Sequence, residues 1–147
     1  MNIDNIADRA VPAGSLQAVS QPVASWLQLT GRAGLAAIFI LSGLSKIAAP
    51  EATIGYIASV GLPLPELALV GAIVVEVIGG LALVLGYRTK AVAGVLALFS
   101  LATAIAFHAD LADQNQFIHF FKNVAMAGGL AQVVAAGAGR LSLDSRR

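Results

Sequence analysis

From Leu67 to Leu85 the chain reads Leu-Ala-Leu-Val-Gly-Ala-Ile-Val-Val-Glu-Val-Ile-Gly-Gly-Leu-Ala-Leu-Val-Leu, nineteen residues with one charge, Glu76, in the tenth place. At about 1.5 Å of rise per residue, a helix of this length covers roughly 28 Å, close to the hydrocarbon thickness of a bilayer. Backbone in lipid must satisfy its own hydrogen bonds, which leaves helices or closed barrels, and a segment this long is a helix. Glu76 then lies at mid-membrane, where a carboxylate costs at least about 2.5 kcal/mol on insertion scales. Such a group must face other helices or water, hold a partner or carry a proton.

The rest of the composition agrees with a membrane-embedded chain. It is 58% hydrophobic before its 15 glycines are counted and only 12% charged, about half the charge of an ordinary soluble domain. Its 147 residues accommodate about four spans and no large catalytic head. The absence of cysteine excludes disulfides, thiolate metal sites and dithiol redox chemistry, so redox work would need a borrowed cofactor.

In chain order, residues 1–25 carry scattered charge and two prolines without an apolar run long enough for a signal peptide. They are expected to be a flexible cytoplasmic tail, with Ile3 and Ile6 on a short surface helix as an alternative. The first span is expected over 26–48, opened by Trp26 at the interface. Arg32 and Lys46 are fourteen residues apart, which at about 100° per residue puts them within roughly 40° on one stripe, with Phe39 and Gly43. Two readings stand for these cations: anchors that snorkel to the two interfaces, or functional groups, with the deeper Arg32 the better functional candidate. Between Pro50 and Pro65, proline at a helix start and Gly61 before Pro63 predict a short interfacial helix, either a lid or a plain connector. Further spans are expected at about 66–86, 90–108 and 117–138. The third carries small residues at three- and four-residue spacing, and the fourth sets His119, Lys122, Asn123 and Met126 on one face.

Seven of the nine Lys and Arg residues fall on one side of these spans, leaving Lys46 and Lys122 on the other. The positive-inside rule then places both termini in the cytoplasm. The expected fold is all-α, a transmembrane up-down four-helix bundle filling residues 26–139, with a basic cytoplasmic tail at 140–147.

Depth suggests partners for Glu76. Counted from the expected span ends, Arg32 lies about 9 Å in from one face and Lys122 about 7.5 Å in from the other, each within a long stem's reach of Glu76. Lys46, about 3 Å in by the same count, would need an intervening water. The candidate intramembrane polar core is therefore Glu76 with Arg32 or Lys122, together with Asn123 and Lys46. His108 and His119 form a candidate outer mouth. A competing reading is that these groups only fix helix register.

No phosphate loop, His-Glu-x-x-His, nucleophile elbow or cysteine pair is present. No catalytic residue is assigned, and two histidines across a turn do not by themselves make a metal site.

Arg32, Ser42-Gly43-x-x-Lys46, Gly61-Leu62-Pro63, Glu76-x-x-Gly79-Gly80, Gly86, Phe121-Lys122-Asn123 and Gly139-Arg140-Leu141-Ser142-Leu143-Asp144 together resemble the DoxX family. The likeness covers about Thr30 to Asp144. It implies a four-helix bacterial inner-membrane protein whose namesake is a small subunit associated with a quinol oxidase and a thiosulfate:quinone oxidoreductase system. The family lends no catalytic residues. On this footing the first expectation is an accessory or quinone-associated subunit of a membrane oxidoreductase. The alternatives are a small proton-coupled transporter or permeation path using Glu76, and a structural scaffold. Expected partners are the bilayer, membrane or peripheral oxidoreductase subunits and further copies of the chain, with no nucleic acid; the one cofactor suggested is a quinone.

Overall fold

The computed structural model describes residues 20–147; the expectations for residues 1–19, including the surface helix at Ile3 and Ile6, lie outside the described residues. Five helices follow in order: α1 (Gln21–Ala48), α2 (Pro50–Ser59), α3 (Pro65–Leu85), α4 (Thr89–Phe107) and α5 (Gln114–Ala136). Among the described residues there is no strand. Helices α1, α3, α4 and α5 are each long and apolar enough to cross a membrane, and α2 is the short helix expected after the first span.

Local chemistry sets most of the boundaries. Proline occupies the first or second position of α1, α2 and α3, where its missing N–H costs nothing. The proline near the start of α1 moves that helix's beginning from the expected Trp26 back to Gln21. Asp113 caps α5 by accepting the Gln116 N–H at 2.8 Å, so α5 starts three residues before the expected Phe117. Gly86 ends α3 in the left-handed conformation at φ 67°, a geometry that glycine adopts without strain.

The helices form a ring in which α1 packs on α3, α3 on α4, α4 on α5 and, more sparsely, α5 on α1. Glycines set the approach of α1 to α3. A Cβ at Gly43 would come within 2.6 Å of Val77 Cγ2, and one at Gly80 within 2.7 Å of Ile40 Cγ1. Such close approach is the means by which helices associate in lipid, where apolar burial supplies no drive. Outward the bundle is apolar, with Leu98 69% and Ile105 68% exposed.

The interior is uneven along its length. Ala36, Phe39, Leu83, Ala93, Leu96 and Leu130 form one buried cluster in the half nearer Arg88 and Arg140, here called the basic end. The segment after α5 folds across that end. Leu143 N–H donates to Leu85 O at 3.0 Å and Asp144 N–H to Gly86 O at 2.9 Å. The Asp144 carboxylate accepts the Arg88 and Thr89 N–H groups, each at 2.8 Å. It thereby caps α4 with a negative charge where the helix dipole favours one.

Candidate functional site

In the other half the helices part around a cavity of about 660 Å³, within the size range of small-molecule sites. Its walls are largely apolar, from Ile38 and Phe39 on α1, Ala68 and Ala72 on α3, Phe99 and Phe107 on α4 and Met126 on α5. Ala52, Thr53, Tyr56 and Ile57 of α2 line it as well, so the short helix roofs the space. Ile57 is buried, and the Tyr56 hydroxyl donates to Phe107 O at 3.2 Å, tying the roof to the end of α4.

Glu76 supplies the main charge of the inner wall. It sits in a five-residue π-helical stretch of α3, Val74–Ile78, a widened turn that recurs at functional sites. Its Oε1 accepts from Ser42 Oγ at 3.0 Å and from Lys46 Nζ at 3.0 Å, and Lys46 Nζ also donates to Ser42 Oγ at 2.8 Å. Glu76 Oε2 lies 2.9 Å from Lys46 Nζ. That contact is an ion pair without hydrogen-bond alignment, and Oε2 has no hydrogen-bond partner among the described residues although it is buried. The carboxylate side chain is 6% exposed and the lysine side chain 22%.

This arrangement corrects the expected pairing of Glu76 with Arg32 or Lys122. A side chain on a helix leans toward the helix N-terminus. Lys46, near the end of α1, therefore leans inward. Glu76, on the antiparallel α3, leans outward to meet it. Gly43 packs against Glu76 Cβ and Val77, so Lys46 starts only three residues, about 4.5 Å, beyond the level of Glu76. No intervening water is needed.

By the same rule Arg32 leans toward the basic end, away from Glu76. It is 1% exposed, and its Nη1 donates to Leu83 O at 2.9 Å and Val84 O at 3.1 Å, its Nη2 to Leu141 O at 2.6 Å. The guanidinium bonds carbonyls at the end of α3, Leu83 O also accepting the Gly86 N–H, and ties them to the C-terminal segment. Lys122, near the start of α5, leans outward and lies 2.9 Å from His119 Nδ1.

Of the residues singled out in the sequence, Glu76, Lys46, Asn123, Lys122 and His108 line the one cavity, and Arg32 lies apart from it. His119 stands beside the cavity with its ring stacked on His108 at 5.0 Å. His108 Nδ1 is 2.8 Å from Gln116 Oε1. Asn123 is buried, donating to His119 O at 2.9 Å and accepting from Thr103 Oγ1 at 3.4 Å. Among the described residues no group of three His, Asp or Glu side chains is placed to hold a metal ion. Thr103 and Tyr56 carry no role in the sequence reading, and Ser42 enters it only within the Ser42-Gly43-x-x-Lys46 motif. Ser42 was detectable, since it stands one turn before Lys46 beside the glycine of close approach.

The DoxX family model matches residues 27–109. The chain is 36% identical to the inner membrane protein YphA of Escherichia coli (strain K12) over 126 residues, 82% of this chain and 89% of YphA. To the inner membrane protein YqjF of the same organism it is 34% identical over 116 residues, 79% of this chain and 88% of YqjF. No solved structure matches it.

Proposed function

The chain belongs to the DoxX family, as a multi-pass integral inner-membrane protein, and from that premise we propose that it is an accessory subunit of a membrane oxidoreductase system whose cavity binds a quinone. One observation carries the reading. Glu76, ion-paired with Lys46, lines a largely apolar cavity, and its buried Oε2 has no aligned hydrogen-bond donor among the described residues. A ligand hydroxyl that reaches the carboxylate adds an aligned, charge-assisted hydrogen bond to the ion pair. A hydroquinone offers such a hydroxyl, and Lys46 offers a cationic donor to a quinone carbonyl. Phe39, Phe99 and Phe107 on the walls suit a flat ring. The chain then contributes binding, exclusion of water and a carboxylate that can take a proton, while electrons pass to or from a partner.

What favours binding over permeation is the packing below Glu76. Ala36, Leu83, Leu96 and Leu130, each 0% exposed, fill the way to the basic end, and the Arg32 tie lies beyond them. The test is extraction of quinone from the full-length protein purified from native membranes, followed by titration of a tail-less benzoquinone headgroup into the protein in nanodiscs. The wild type is expected to carry quinone and to bind the headgroup, and Glu76→Gln to weaken that binding about tenfold or more while the helices stay folded. Absence of both co-purified quinone and headgroup binding would overturn the proposal.

A further inference from the structure

The seam between α1 and α5 differs from the other three seams of the bundle. On α1, Leu35, Ile38, Ser42 and Ser45 recur at intervals of three and four residues and so share one face. On the antiparallel α5, Gly129, Met126 and Lys122 do the same. The faces meet where a Cβ on Gly129 would touch Leu35 Cδ2 at 3.4 Å. Beyond that contact Ile38, Ser42, Ser45, Met126 and Lys122 line the cavity, and α1 and α5 pack only sparsely. Ser45 and Lys122 are solvent-accessible while lining it, which places them on the rim of an opening. The flanks are the lipid-facing residues Leu41, Leu44, Ile118 and Phe121, all exposed. These residues border the sparsely packed seam between α1 and α5 in the half of the bundle away from the basic end.

We infer that this seam opens to the lipid as a slot, a lateral portal that holds the hydrocarbon tail of a membrane-dissolved ligand whose headgroup lies at Lys46 and Glu76. The inference rests on the headgroup reading above and adds the class of ligand: a tailed, bilayer-borne quinone in place of a short, water-soluble one. Ile38 and Met126 give the slot apolar sides. Helix α2, pinned through Tyr56 and Ile57, covers part of the cavity's outer end and leaves the α1–α5 side uncovered. A tail lying in the slot keeps its far end in the acyl chains, so the ligand never has to leave the hydrophobic phase.

The experiment compares two ligands on the full chain in nanodiscs: an isoprenoid-tailed benzoquinone and its tail-less headgroup. The wild type should bind the tailed ligand at least tenfold more tightly than partition into the bilayer alone accounts for. Leu41→Trp and separately Ile118→Trp, on the lipid-facing flanks and outside the cavity lining, should each weaken the tailed ligand about tenfold and leave headgroup affinity within twofold, with Glu76→Gln weakening both ligands. Two variants guard against one that does not fold. If both slot variants leave the tailed ligand unaffected, or lower both ligands equally, the portal is refuted while the headgroup site stands. If neither ligand binds the wild type, the headgroup reading falls and the portal with it.

Discussion

Replacing Lys46 by methionine keeps the length of the stem and removes the ammonium. Two charge-assisted bonds go with it, to Ser42 Oγ at 2.8 Å and to Glu76 Oε1 at 3.0 Å. Bonds to charged groups contribute about 1.5–3 kcal/mol each when well buried. The lysine side chain is 22% exposed, and water that reaches it screens part of that value, so the expected loss is about 1–3 kcal/mol in total. Ser42 remains as a donor to the carboxylate. Glu76→Gln removes the same ion pair from the other side and should cost a similar amount. The double variant should recover about 1–2 kcal/mol relative to the sum, because the second change no longer strands a buried charge. Reversible unfolding in mixed detergent micelles, followed by circular dichroism, measures all four corners of the cycle. A parallel cycle of Arg32→Met with Glu76→Gln should be additive within about 0.5 kcal/mol, as for sites without shared partners. Additivity in the Lys46 cycle, or coupling of equal size in the Arg32 cycle, would refute the assigned pair.

Gly43→Leu drives a side chain into Val77 and Glu76 Cβ and should cost at least about 1–3 kcal/mol by overpacking, again read in micelles; an unchanged midpoint would mean that α1 and α3 are not held this close. The Asp144 carboxyl lies below the usual carboxylate range because the Thr89 N–H, with that of Arg88, bonds its charged form. A depressed folded pKa means that its contribution is complete above the unfolded value of about 3.9 and is lost as the pH falls through the lower folded value. Limited proteolysis should therefore find the C-terminal segment protected at neutral pH and increasingly cleaved at strongly acidic pH, with Asp144→Asn cleaved faster already at neutral pH. The charge asymmetry predicts that reporters at positions 88 and 146 lie in the cytoplasm and those at 51 and 113 outside; an external signal at position 88 would reverse the orientation.

The four spans were legible because the bilayer leaves few choices: a long apolar run, a helix start at proline and a stop at glycine are enough to place a helix in lipid. The partner of Glu76 is not legible in the sequence, for a geometric reason. Depth depends on where a helix begins, and α1 begins five residues earlier than Trp26; depth also leaves out the lean of each side chain along its helix. Applied to antiparallel α1 and α3, that lean turns Lys46 and Glu76 toward one another and Arg32 away. The π-helical turn carrying Glu76 left no local trace, since Val74 to Ile78 reads as ordinary apolar helix. The fold of residues 137–147 over the basic end was hidden by its distance in sequence from Arg32, Gly86 and Thr89, and short polar stretches give no periodicity to follow.

The Arg32 tie also orders events in time. Arg32 enters the membrane with the first helix made, but two of its acceptors are carbonyls at the end of α3, and the third, Leu141 O, stands 109 residues further along the chain. Once α3 is made, Leu83 and Val84 can take one arm of the guanidinium, while the arm that Leu141 accepts stays open until residues 141–144 are made. Residues 141–144 then act as a latch: Leu141 takes the free guanidinium arm, and Asp144 pins the start of α4. Because the chain grows from the N-terminus, this tie is completed only when residues 141–144 emerge, and a chain cut short of Leu141 would leave one arm of a buried guanidinium unpaired.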